Sequence, residues 1–176
     1  MVAAVLGACS GEGGEGAPSP TATTTASATV TPSPTPTPAP SRPAAMARGD
    51  VEGAEAAARY FLSLYPYAYS TGDLEEWIAL SDPECVFCAS VVDDVRELRS
   101  RDAFQTGGEI GWISVDASQD GDLRFRVDVT ATESPAYEIE GGEATIVSSG
   151  GQSELAFLLE WDGSWTVLGV AVEAAK

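Results

Sequence analysis

The 176-residue chain contains no histidine, no asparagine and a single lysine. Without histidine it lacks the commonest general base and the commonest metal ligand at neutral pH. Basic residues are scarce overall, nine against 27 acids, giving a net charge of −18. Before Asp50 the charges cancel, Glu12 and Glu15 against Arg42 and Arg48, so the excess lies wholly in the remainder. Such a surface repels phosphate backbones and anionic lipid heads, which argues against nucleic acid and against direct adsorption to a membrane. It favours solubility, cations or basic partners. Long apolar runs are also missing. Residues 2–8, the most apolar stretch, are far too short to span a bilayer.

That short run ends at Cys9. Leu6-Gly7-Ala8-Cys9 resembles the bacterial lipobox, in which small residues precede a cysteine that is lipidated and becomes the mature N-terminus. The resemblance implies a lipid anchor on Cys9, with residues 1–9 as the end of a lipoprotein signal peptide. A signal peptide opens on a basic region, and none precedes the run, so the true start is expected upstream of Met1. The expected location is the outer face of the cytoplasmic membrane, facing the cell wall. Contact with the membrane would be through the anchor only.

Residues 10–48 are almost entirely Gly, Ala, Pro, Ser and Thr. They cannot bury enough apolar surface to offset the entropy of ordering, so a disordered linker is expected. Alternating Thr-Pro and Ser-Pro over residues 17–43 favours polyproline II. Extended at ~3.1 Å per residue, residues 10–48 would reach roughly 120 Å, enough to carry a domain through cell-wall polymer. Dense Ser/Thr with Pro suits O-glycosylation and equally an unmodified spacer.

Residues 49–176 have the size of one domain. Asp50 is placed to cap a first helix, with Val51, Ala54, Ala58, Phe61, Leu62 and Tyr65 at helical spacing. Pro66 predicts a kink or an end. A second helix is expected from Leu74 to Leu80, with Trp77 and Ile78 inward, and a third from Cys88 to Phe104, with Val91, Val92, Val95 and Leu98 inward. After Gly107-Gly108 the period changes to two. Leu123, Phe125, Val127 and Val129 alternate with charged residues as the clearest strand, and others are expected at 109–116, 136–147, 153–161 and 164–173. Asp162-Gly163 predicts a hairpin. A two-residue loop would place Trp161 and Trp165 on opposite faces, a three-residue loop on the same face, and the register stays open. The fold class is α+β, three N-terminal helices packed on a curved antiparallel sheet.

The order of elements and the closing strand after Trp161-Asp-Gly-Ser-Trp165 resemble the cone-shaped nuclear transport factor 2-like fold. Tyr67-Ala-Tyr-Ser-Thr-Gly-Asp73, with Leu80-Ser-Asp-Pro-Glu-Cys85-Val-Phe-Cys88, is similar to an uncharacterised family of actinobacterial lipoproteins, a domain of unknown function. That resemblance covers residues 50–175 and implies location and fold without an activity.

Four constellations bear on chemistry. Cys85 and Cys88 in an exported protein should form a disulfide across a small loop. A redox dithiol is the functional alternative, but the βαβ context of thioredoxins is missing. Asp116, Ser118, Asp120 and Gly121 mimic the start of an EF-hand loop, yet Val127 stands where a bidentate Glu is required, and a polar hairpin turn is the better reading. No metal and no cofactor is expected. Tyr65, Tyr69, Trp77 and Trp112, with Tyr60 and Tyr67, could line the mouth of a cone and receive a small apolar ligand, or simply pack in the core. Asp73, Asp82, Glu84, Asp93 and Asp94 cluster on the helical half, and cone-fold enzymes use such a carboxylate as base; none is singled out as catalytic. The sequence therefore leans away from an enzyme. It suggests an anchored binding or accessory domain whose partner is cell-wall polymer or another envelope protein, with an extracytoplasmic small-molecule binder or cone-fold enzyme as the alternative.

Overall fold

The computed structural model describes residues 37–174. Cys9 and most of the Pro-rich segment lie outside the described residues. The domain begins earlier than the expected boundary at residue 49. Ala44–Ala47 form a 3-10 turn that buries Met46 at 4% exposure. Arg42 pairs with Glu76 at 2.7 Å and lies over the Tyr60 ring at 5.6 Å. Composition misplaced this boundary because one buried methionine, not the average polarity of the segment, fixes the turn to the domain.

Helix α1 (Val51–Thr71) starts where Asp50 accepts the Gly53 N–H at 3.0 Å. Ala54, Ala58, Phe61 and Leu62 are buried along one stripe, while Val51, expected among them, is 40% exposed. The helix continues through Pro66. Proline costs an interior helix about 3 kcal/mol, but Leu64, Ala68 and Tyr69 on either side of it are buried, and that burial outweighs the lost hydrogen bond. Gly72 terminates α1 in the left-handed region, and Asp73 then accepts the Glu75 N–H to open α2 (Glu75–Leu80). This six-residue helix buries Trp77 and Leu80; Ile78, expected inward, is exposed at 47% because a single inward stripe holds only the i and i+3 positions. Helix α3 (Val86–Ser100) begins two residues before the expected start and ends four before the expected stop. Val91, Val95 and Leu98 are buried and Val92 is half-buried.

Seven strands follow: β1 (Phe104–Gly107), β2 (Ile110–Gln119), β3 (Arg124–Glu133), β4 (Ala136–Glu140), β5 (Glu143–Ser148), β6 (Gly151–Trp161) and β7 (Trp165–Ala174). Pairing is antiparallel throughout, in a four-stranded sheet of order β2-β3-β6-β7 and a three-stranded sheet of order β1-β4-β5. The single expected strand at 136–147 is a hairpin broken at Gly141-Gly142, and β1, absent from the expected strands, starts at Phe104, the expected end of α3. The curved sheet is thus two sheets meeting at a corner, where Gly108-Glu109, Ser134-Pro135 and Ser149-Gly150 carry the chain from one to the other. Two backbone bonds hold it: Ser134 N–H to the Glu109 carbonyl at 3.0 Å and Gly108 N–H to the Pro135 carbonyl at 3.3 Å.

Phe125, Val127, Val129, Phe157, Leu159, Trp165 and Val167 line the inner face and pack against α1 and α2. Phe61 meets Phe157 edge-on at 6.4 Å and stacks on Trp77 at 4.0 Å. The last hairpin settles the open register: Trp161 pairs with Trp165 across a three-residue turn, so both indoles share a face, 5.1 Å apart. Three helices on one face of antiparallel sheet is the α+β, nuclear transport factor 2-like arrangement that the element order implied.

Candidate functional site

The widest part of the helix–sheet layer is not filled. Tyr65 and Tyr69, one turn apart on α1, pack with tilted rings 4.8 Å apart. Opposite them α3 brings Asp94, Glu97 and Leu98, followed by Arg101, and the small sheet brings Gln105, Ala136, Glu138, Val147 and Ser148. Together these enclose an open cavity of about 380 Å³. A smaller hollow of about 130 Å³ adjoins it, lined by Leu62, Phe87, Ile110, Leu155 and Val172 among others. Tyr65 and Glu133 line both. The two spaces differ in character, the larger acidic and the smaller mostly apolar.

The Tyr69 hydroxyl donates to Asp94 at 3.1 Å. Burial, and then the neighbouring Tyr65 and the Asp94 carboxylate, push the Tyr69 phenol far above its ordinary value. Burial also raises Tyr65. Both rings therefore stay neutral at any physiological pH. Arg101 donates to Glu138 at 3.0 Å and to Glu140 at 2.7 Å, so this cation is already engaged. Ser148 donates to Glu133 at 3.2 Å.

Of the four aromatics expected at the mouth, the structure brings Tyr65 and Tyr69 together there. Trp77 is instead 1% exposed in the core, its indole N–H donating to the Cys88 carbonyl at 3.0 Å. Trp112 lies against Arg59 of α1 at 5.6 Å and lines neither space. Tyr60 donates to Glu76 and Tyr67 to Asp73. Among the five acids noted on the helical half, Asp94 alone reaches the cavity. Asp73 and Asp82 accept N–H groups two residues on, at Glu75 and Glu84, and Asp93 and Glu84 face solvent. Glu133, Glu138, Arg101, Gln105 and Ser148 were missed. One signal was present: on β3 the inward positions run Phe125, Val127, Val129, Ala131, Glu133, and an acid in that series marks a wall that is not core.

Cys85 and Cys88 form a disulfide at the start of α3, buried at 2% and 1% exposure. For so short a loop the chain-entropy contribution is on the order of 2 kcal/mol. Replacing both cysteines with alanine should lower the unfolding free energy from urea titration by an amount of that order and leave the cavity intact. A far larger loss would show that the bridge organises α3 itself. The EF-hand-like segment is the β2–β3 hairpin: Gln119 pairs with Phe125, Asp120 N–H donates to the Arg124 carbonyl at 2.7 Å, and Asp116 pairs with Asp128. Among the described residues no three His, Cys, Asp or Glu side chains are grouped to hold a metal ion.

Several solved structures are similar to this domain. The intermembrane space region of the chloroplast protein ARC6 is 18% identical, with a TM-score of 0.55, over 73% of this chain and 99% of that one. A protein from Catenulispora acidiphila is 14% identical over 69% and 91% (TM-score 0.45), and an uncharacterised protein with a cystatin-like fold from Caulobacter vibrioides is 12% identical over 68% and 88% (TM-score 0.44). Identities this low speak to the fold alone. No curated protein matches the sequence. Residues 23–171 match a family of unknown function, DUF6318, and the chain belongs to that family.

Proposed function

We propose that this protein is a non-catalytic binding domain of the cell envelope, of the actinobacterial lipoprotein kind. It would be tethered through Cys9 to the outer face of the cytoplasmic membrane and hold a small molecule in the Tyr65–Tyr69 cavity. The observation that carries the binding half is the cavity itself: about 380 Å³ of open space, walled by two tyrosines in contact and sharing Tyr65 and Glu133 with a neighbouring, more apolar hollow. Ligand sites combine apolar surface with a few convergent polar groups in this way. A catalytic reading has less support. Asp94, the carboxylate bonded to a tyrosine, is exposed to water, so nothing at that position shields a reacting proton from solvent.

Two experiments test the proposal. Full-length protein purified from its own cells should carry a small-molecule adduct in native mass spectrometry, and Leu62→Trp, which fills the hollow, should remove it. A bare chain from native membranes would sink the binding half. Cys9→Ala should move the protein from the membrane fraction to the soluble fraction; a variant that still sediments with membranes would refute the lipid anchor.

A further inference from the structure

We infer that the cavity takes a small amphipathic organic cation, its ammonium or guanidinium head between Tyr65, Tyr69 and the acids of the mouth and a short apolar tail in the adjoining hollow. This rests on the reading of the cavity as a binding site and adds the class of its occupant.

The aromatic walls come first. Tyr65 and Tyr69 line the space with neutral rings, and the negative face of a phenol ring attracts a cation within about 6 Å of its centroid. The Tyr69 hydroxyl is already committed to Asp94, so its ring is what remains to offer. The sign of the walls agrees. Asp94, Glu97, Glu133 and Glu138 line the mouth against a single cation, Arg101, which is held by Glu138 and Glu140. Among the described residues Asp94, Glu97 and Glu133 have no ion pair. A carboxylate or phosphate entering there meets like charge on three sides. The chain as a whole, at −18, draws cations toward the domain in the same sense.

The inner hollow sets the shape. Leu62, Phe87, Ile110 and Leu155 present hydrocarbon in about 130 Å³, room for only a few carbon atoms. A bare inorganic cation would leave that surface unused, and a long lipid chain would not fit. Glu133 stands where the two spaces join, its carboxylate steadied by Ser148, which is where a charged head would meet its tail.

Calorimetric titration of the full chain with hexyltrimethylammonium, tetramethylammonium, 1-hexanol and hexanoate tests this. The hexyl cation should bind about tenfold tighter than hexanol, in keeping with a cation held over aromatic rings. It should also bind about tenfold tighter than tetramethylammonium, as a few buried methylenes predict. Hexanoate should give no measurable heat. Glu133→Gln should weaken the hexyl cation several-fold and leave hexanol unchanged; Glu97→Gln, at the exposed rim, serves the same purpose if the first variant misfolds by circular dichroism. Hexanol binding as well as the cation, or hexanoate binding better, overturns the class of ligand and leaves the cavity a binding site. If no probe binds while the native adduct is present, the class is again wrong. If neither probes nor adduct are found, both readings fall.

Discussion

Replacing Trp77 with alanine should lower the unfolding free energy by about 4 kcal/mol, within the range measured when large aromatic side chains are truncated in cores. Trp77 is the largest fully buried side chain, at 1% exposure. It stacks on Phe61 at 4.0 Å and lies 6.3 Å from Tyr65 and 6.2 Å from Phe87. Its indole N–H is also the tie between α2 and the first turn of α3, through the Cys88 carbonyl. Alanine would open a void that α2, only six residues long, has no other buried aromatic to close. Domains of this size are stable by roughly 5–15 kcal/mol, so the variant would sit near its threshold. Trp77→Phe separates the two contributions. It keeps a six-membered ring in the stack but gives up the rest of the indole and leaves the Cys88 carbonyl without this donor, so it should lose about 1–2 kcal/mol for the hydrogen bond plus the cost of a smaller void than alanine leaves. Urea midpoints of the three proteins measure both differences. A Trp77→Ala loss below about 1 kcal/mol, the size of one ordinary hydrogen bond, would mean that the helices are held to the sheet by something other than this aromatic stack.

The same residue shows how far the sequence could be read. Helical spacing places Trp77 inward, and it is inward; spacing does not reveal that the residues around it close completely, so the same pattern also admits it as a cavity aromatic. Periodicity gives a side chain's face, but whether that face meets core or open space depends on which distant strands arrive opposite. Tyr65 and Tyr69 lie one and two turns on from Phe61 along the same helix face, and they line the cavity where Phe61 does not because residues of the small sheet, not Phe157, stand across from them. The cavity's other wall, from Gln105 to Ser148, comes from strands short enough to be lost: β1 has four residues and starts at Phe104, the expected end of α3. Alternation is a better guide on β3 and β6, which are long and buried on one face. The Trp161–Trp165 register needed the turn geometry, since two- and three-residue loops use the same Asp-Gly signal. Of the two outcomes expected at Pro66, the end of the helix does not occur. The proline's local penalty is real, and tertiary burial on either side overrides it.

Substitution of Gly107 by alanine should cost about 3 kcal/mol, the sum of a left-handed backbone penalty and a clash that cannot be relieved by a rotamer. Gly107 has φ +80°, and a Cβ there would lie 2.1 Å from the Pro135 carbonyl oxygen. The obstacle is backbone, part of the β3–β4 strand transition at the corner, so one of two chain segments must move. Gly150 presents the same problem from the other side, with a Cβ 2.4 Å from the Glu133 carbonyl oxygen at φ +70°. These two glycines let three strands pass one another closely enough for the sheet to break direction, and the break is what leaves the space under Tyr65 and Tyr69 open. Gly141, at φ +58° with nothing within 4 Å of where a Cβ would stand, is the internal control. Gly141→Ala should cost only the backbone penalty of about 1–2 kcal/mol. Equal denaturation midpoints for the two alanine variants would show that the corner has slack. A larger loss at Gly107, accompanied by weaker binding of the cationic probe even where the protein remains folded, would tie the corner directly to the shape of the cavity, because Ala136, which pairs with Gly107, is part of its wall.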